Sequence, residues 1–219
     1  DFPRALKIFE AGASRWPGEL NEKPEINFSM AEIYFTNKQY ARARKHYFKL
    51  LNLDPASKNG HKALNRIGDS YMVEGKYQHA LSVFDESGKK KGIKLDDEGK
   101  PARDKEGSLI REDSAETQYG KIRMADIGVR SPRLKIRDIV FDVEHYYKPF
   151  KTFDKIFVEA RNVDILAEVT LSRGIAYLLE QNYLKAIDEF KKLLPLGPES
   201  QFFQEADRYI RQALIALID

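Results

Sequence analysis

The residues best suited to chemistry in this chain are two aspartates and a histidine, Asp138, Asp142 and His145. Their i, i+4 and i+7 spacing would put them on one face of a helix, where two carboxylates and an imidazole could bind a metal ion. Charged stripes of this kind more often face solvent or pair with neighbouring lysines. We therefore expect no metal ion here.

The rest of the sequence offers little for catalysis. No two of the four histidines are three or four residues apart, and the chain has no cysteine. Thiol catalysis, disulfides and zinc–cysteine sites are therefore excluded. The sequence has no P-loop, no dinucleotide-binding fingerprint and no serine elbow. These observations predict a protein that is not an enzyme and needs no cofactor.

A repeated pattern determines how the chain is organised. In each copy an alanine follows one aromatic residue by three positions and precedes another by four. The copies are Phe2-Ala5-Phe9, Tyr40-Ala43-Tyr47, Tyr77-Ala80-Phe84 and Tyr183-Ala186-Phe190. The last three also have a tyrosine nine residues before the alanine and a small residue twelve before it. Such repetition indicates units that bury their apolar faces against their neighbours.

This pattern resembles the tetratricopeptide repeat, a helix-turn-helix unit of about 34 residues. In that family a small residue lets the two helices of a unit approach closely, and large residues fill the space between units. The resemblance implies close approach at Gly68, Ala80, Gly174 and Ala186, with Tyr71, Phe84, Tyr177 and Phe190 as the fillers.

The units are similar to those of bacterial cell-envelope members of the family. They are slightly longer than usual, and Pro-x-Ser junctions occur at Pro55 and Pro198. The outer-membrane assembly lipoprotein and the Tol–Pal accessory protein have repeats of this long type. The resemblance therefore favours the bacterial periplasm or cell envelope over the cytoplasm.

We predict an all-α solenoid that forms a single domain over 1–219 and is a fragment of a longer protein. Its parts are a half repeat 1–17, repeats at about 24–55, 58–87 and 163–198, a non-helical charged insertion 88–113, degenerate helices over 114–162 and a capping helix 201–219. We expect the insertion to close as a hairpin around Asp97–Lys100. Pro132 should open a helix with Ile136, Ile139, Val140 and Val143 on one face.

The candidate binding site is the concave groove that the first helix of each unit lines in this family. Its predicted residues are Phe28, Glu32, Phe35, Lys62, Asn65, Asp69, Met72, Leu171, Ile175 and Leu178. The groove would be largely apolar, which suits an amphipathic helix or an extended segment of a partner. Alternatively, the insertion or the degenerate helices fill it from within the chain.

We expect a non-catalytic scaffold that binds a protein or peptide in a bacterial, envelope-associated machine for assembly, motility or secretion. The alternative is a cytoplasmic regulator whose repeats bind a peptide or small ligand and control an attached output domain. The net charge of +3 comes from interspersed acids and bases, which gives no reason to expect nucleic acid. No apolar stretch approaches the roughly 18 residues that a membrane span needs.

Overall fold

The computed structural model describes residues 2–18, 22–55, 57, 59–96, 98–136 and 138–218. Helices dominate these residues, and the strands are short. The predicted all-α fold of helix-turn-helix repeats is therefore confirmed. The chain divides into two compact units, 1–90 and 91–219. The single domain over 1–219 stays a prediction.

The first unit consists of consecutive helices that pack in pairs. They are α1 (Phe2–Arg15), α2 (Pro24–Thr36), α3 (Tyr40–Leu53), α4 (Gly60–Val73) and α5 (Tyr77–Lys89). Helix α2 packs on α3, α4 packs on α5, and α3 joins the two pairs by packing on α4. The turns within the pairs contain Lys38 and Gly75, both in the left-handed region.

The small residues of the repeat allow the two helices of a pair to approach closely. Ala43 and Ala80 are fully buried. A Cβ atom added at Gly68 would lie 2.5 Å from the ring of Phe84, which is itself fully buried. The predicted close approach at Gly68 is therefore confirmed. Phe9 packs at the edge of this core, whereas the side chains of Phe2 and Ala5 lie outside the described part of the structure.

The second unit combines helices with two short hairpins. Its elements are β1 (Gly92–Ile93), β2 (Arg111–Glu112), α6 (Ala115–Arg130), β3 (Arg133–Ile136), β4 (Ile139–Asp142), α7 (Val143–Tyr147), α8 (Pro149–Glu159), α9 (Val163–Leu179), α10 (Tyr183–Lys191), a 3-10 turn (Leu194–Leu196) and α11 (Gln201–Ile218). Helix α9 lies at the centre and contacts α6, α8, α10 and α11. Gly174 and Phe190 repeat the close approach seen in the first unit.

The predicted insertion begins slightly later than expected, because helix α5 continues to Lys89 and buries Ser87 and Gly88. Its base is the strand pair β1–β2, and two small turns lie between these strands. In each turn an aspartate carboxylate, of Asp96 or of Asp104, accepts hydrogen bonds from backbone amides. The first of these turns includes Glu98 and Lys100 of the predicted hairpin, whereas Asp97 lies outside the described residues.

The helix predicted to start at Pro132 is wrong, because Arg133–Ile136 and Ile139–Asp142 pair as the antiparallel strands β3 and β4. Charged and apolar residues alternate along Arg133–Ile136, which is the period of a strand. Asp142 instead caps α7, where its carboxylate accepts a hydrogen bond of 2.8 Å from the His145 amide. The helical stripe that could have bound a metal ion therefore does not form.

Within the described ranges, no group of three histidine or acidic side chains is placed to hold a metal ion. None of the helices in those ranges combines the length and the apolarity that crossing a membrane requires.

Candidate partner-binding site

Seven of the predicted groove residues lie in the first unit, on its first helices. Phe28, Glu32 and Phe35 belong to α2. Helix α4 carries the other four, which are Lys62, Asn65, Asp69 and Met72. The structure brings most of these side chains together with Arg66 on one surface, which we call the α2–α4 face.

Glu32 is the centre of the α2–α4 face. Its carboxylate accepts a short hydrogen bond from the hydroxyl of Tyr47, a fully buried residue of α3. The same carboxylate lies 3.3 Å from the Arg66 guanidinium and 4.0 Å from the Lys62 ammonium, both on α4. Burial, and then the bond to Glu32, raise the pKa of Tyr47 far above its ordinary value, so this hydroxyl remains a donor.

Cations cover the two aromatic rings of the face. The ammonium of Lys62 lies 5.5 Å from the ring centroid of Phe28, and the guanidinium of Arg66 lies 4.9 Å from that of Phe35. Both distances are within the range of cation–π attraction. Arg66 also approaches the Asp69 carboxylate at 3.9 Å. Charged groups therefore lie over two aromatic residues of the predicted groove in the first unit, and the groove itself stays a prediction.

Two predicted residues have other positions. Asn65 is buried, and its side-chain oxygen accepts a 2.5 Å hydrogen bond from the Ser87 hydroxyl of α5. It therefore helps to join the two helices of a pair. Met72 is partly buried near the end of α4. Arg66 was not among the predicted groove residues, although its position four residues after Lys62 places it on the same helical face.

The three predicted residues of the second unit lie on α9, in a different environment. Leu171 and Ile175 are buried in a cluster with Phe190 of α10 and Ala206 of α11. Leu178 is partly buried against the same cluster. Helices α10 and α11 thus cover this part of α9. The expected alternative, filling by the insertion or by the degenerate helices, stays a prediction. The open part of the predicted site is the α2–α4 face.

Paired helices with a close approach at a small residue define a helical-repeat protein. The tetratricopeptide repeat family model matches residues 24–57, which include α2 and α3. This match supports the assignment of the repeat to the tetratricopeptide family.

Among solved structures, the chain is similar to a tetratricopeptide repeat protein from Parabacteroides merdae ATCC 43184, with 16% identity and a TM-score of 0.45. The similarity covers 97% of this chain and 78% of that one. No curated protein matches the sequence.

Proposed function

We propose that this chain is a non-catalytic scaffold that binds a segment of a partner protein on the α2–α4 face. Tetratricopeptide repeats imply a protein–protein interaction scaffold, and one such repeat includes α2. The observation that supports this surface most is the position of Lys62. Its side chain is 52% exposed and lies over an aromatic ring beside the Glu32 carboxylate.

The charges of the face indicate which partner would fit. Glu32 and Asp69 balance Lys62 and Arg66, so the face as a whole is neutral. Arg66 contacts both carboxylates, whereas Lys62 is at the limit of contact with one. An acidic side chain of a partner could therefore form an ion pair with Lys62, because Lys62 would give up only a weak contact with Glu32. An apolar side chain next to it on the same segment would contact the edge of the Phe28 ring. Recognition would then depend on both the ion pair and the apolar contact.

The cellular setting is a separate part of the proposal. Long units and Pro-x-Ser junctions, at Pro55 and Pro198, are the features that favour a bacterial envelope-associated machine for assembly, motility or secretion. Fractionation of the native cells tests this part directly. Recovery of the protein with the cytoplasm alone would overturn the envelope assignment and leave the binding face unaffected.

The binding face is tested by affinity capture from a lysate of the native host, followed by binding measurements with each purified partner. We compare the wild-type chain with Lys62→Glu, and use Lys45→Glu as the control. Lys45 is an exposed residue of α3, so the control makes the same charge change on another surface.

A partner that binds the wild type and the control, but binds Lys62→Glu at least tenfold more weakly, would support the proposal. Equal binding by all three chains would refute this surface as the site. Circular dichroism of each variant shows that a loss of binding is not a loss of fold. A second variant, Lys62→Gln, removes the charge without reversing it and should weaken binding to a smaller extent.

A further inference from the structure

We propose that a cavity in the second unit binds a small ligand in which a phosphate is attached to an aromatic group. The cavity has a volume of about 420 Å³ and is formed by α6, the α7–α8 junction and α8. Its volume falls within the usual range for small-molecule sites, about 300–1,000 Å³. This proposal does not depend on the α2–α4 face, because every lining residue belongs to the second unit.

The cavity has an excess of positive charge. Four lysines and two acidic residues line it. Lys121 forms an ion pair with Asp113, and Lys155 lies 3.9 Å from Glu159.

The other two lysines, Lys148 and Lys151, form no ion pair with a carboxylate in the described part of the chain. Two unbalanced ammonium groups match the charge of a phosphate monoester, which is close to −2 above its second pKa of about 6.

The remaining lining suits an aromatic ring. Met124 and Ile156 are both buried and supply apolar surface. Tyr146 and Tyr147 line the same cavity, with their ring centroids 4.9 Å apart in an edge-to-face arrangement. A ligand ring packed beside this pair would bury apolar area and gain aromatic contacts.

The backbone holds Lys148 in an unusual conformation. Its φ of 45° lies in the left-handed region, and the next residue is Pro149, which restricts it further. Pro149 is buried against α6, where a Cβ added at Gly128 would lie 3.1 Å from the proline ring. Glycine would suit the backbone better at position 148.

The test uses the full chain and phenyl phosphate as the probe, with binding followed by calorimetry and by NMR of the methionine methyl groups. The chain has three methionines, and only Met124 lines the cavity. Its methyl signal should shift on titration, while those of Met30 and Met72 in the first unit should not. Inorganic phosphate should bind at least tenfold more weakly, because it lacks the ring.

Two variants remove one unbalanced lysine each, Lys148→Gly and Lys151→Gln. Each should weaken the binding of phenyl phosphate about tenfold, as expected when a charge-assisted hydrogen bond is lost. Lys105→Gln removes an exposed lysine of the insertion and serves as the control. Lys148→Gly should melt no lower than the wild type, because glycine relieves the left-handed strain.

Several results would overturn the proposal. The Met124 methyl signal could fail to shift at a saturating concentration of phenyl phosphate. The Lys105→Gln control could lose as much affinity as the two cavity variants. Benzoate could bind as tightly as phenyl phosphate. The last result would indicate a site for the carboxylate of a protein segment instead of a phosphate.

Discussion

Adding a single methyl group at Gly68 tests the packing on which the repeat depends. A Cβ at this position would lie 2.5 Å from two atoms of the Phe84 ring and 2.8 Å from a third. Ordinary contact begins near 3.4 Å, so about 1 Å must be made up by movement of the ring or the helices. Phe84 is fully buried, so its ring cannot move out into solvent.

The expected free-energy change for Gly68→Ala combines two effects of opposite sign. Overpacking of a core costs about 1–3 kcal/mol. Replacing glycine by alanine inside a helix gains about 1 kcal/mol. Because three atoms of a confined ring are involved, we expect a net loss of about 1–2 kcal/mol in the free energy of unfolding.

The assay is urea unfolding followed by circular dichroism, with hydrogen exchange of residues 60–89 to locate the effect. Gly60→Ala is the matched control on the same helix, since a Cβ there meets its nearest neighbour at 3.5 Å, an ordinary contact. Phe84→Leu should destabilise the chain by itself. Combined with Gly68→Ala, it should cost at least about 0.5 kcal/mol less than the sum of the single changes. Additive effects, or a Gly68→Ala variant as stable as the wild type, would refute the close-packing argument.

Three further predictions concern other parts of the molecule. Tyr47→Phe removes the hydrogen bond to the mostly buried Glu32 carboxylate and should lower the free energy of unfolding by about 1–2 kcal/mol, measured in urea; no loss would contradict the central position of Glu32. Burial, with smaller effects of Lys49 and Lys45, lowers the pKa of His46 below 6.5 in the folded state. The unfolded chain therefore binds more protons, so the free energy of unfolding should decrease as the pH is lowered from about 7.5 to about 5.5. His46→Gln should make this pH dependence weaker; an unchanged pH dependence would exclude His46 as its source. Replacing residues 94–110 by Asn-Gly should change the melting temperature little, because this part of the insertion is almost entirely exposed. The new two-residue turn also suits the β1–β2 pair. A large decrease in melting temperature would show that the insertion stabilises its unit.

The repeat architecture could be predicted because it depends on short-range patterns. Gly68 and Phe84 occupy fixed positions in a repeated register, and their contact follows from that register once the two helices pair. The hairpin β3–β4 could not be predicted in the same way. Its apolar residues, Ile136, Ile139 and Val140, fit a helical face and a strand about equally well over so short a stretch. The pairing of Arg133–Ile136 with Ile139–Asp142 and the burial of Val143 select the hairpin.

The candidate site was only partly predictable for a related reason. Phe28, Glu32 and Phe35 were placed on the correct helix by the register. The positions of Lys62 and Arg66 over the aromatic rings depend on how α4 packs beside α2, which no local pattern specifies. The cavity of the second unit was missed, although lysines 148, 151 and 155 have the i, i+3, i+7 spacing of a single helical face.

Glu32 has a further consequence for how the first unit unfolds. Its carboxylate binds Tyr47 within one helix pair and Arg66 on the next, so it contributes both to the stability of a repeat and to the coupling between repeats. In a linear array this coupling decides whether neighbouring repeats unfold together or one after another. Neutralising Glu32 would therefore allow states in which only one pair is folded to become populated. A partner that held this carboxylate in place would have the opposite effect and make the two pairs melt as one.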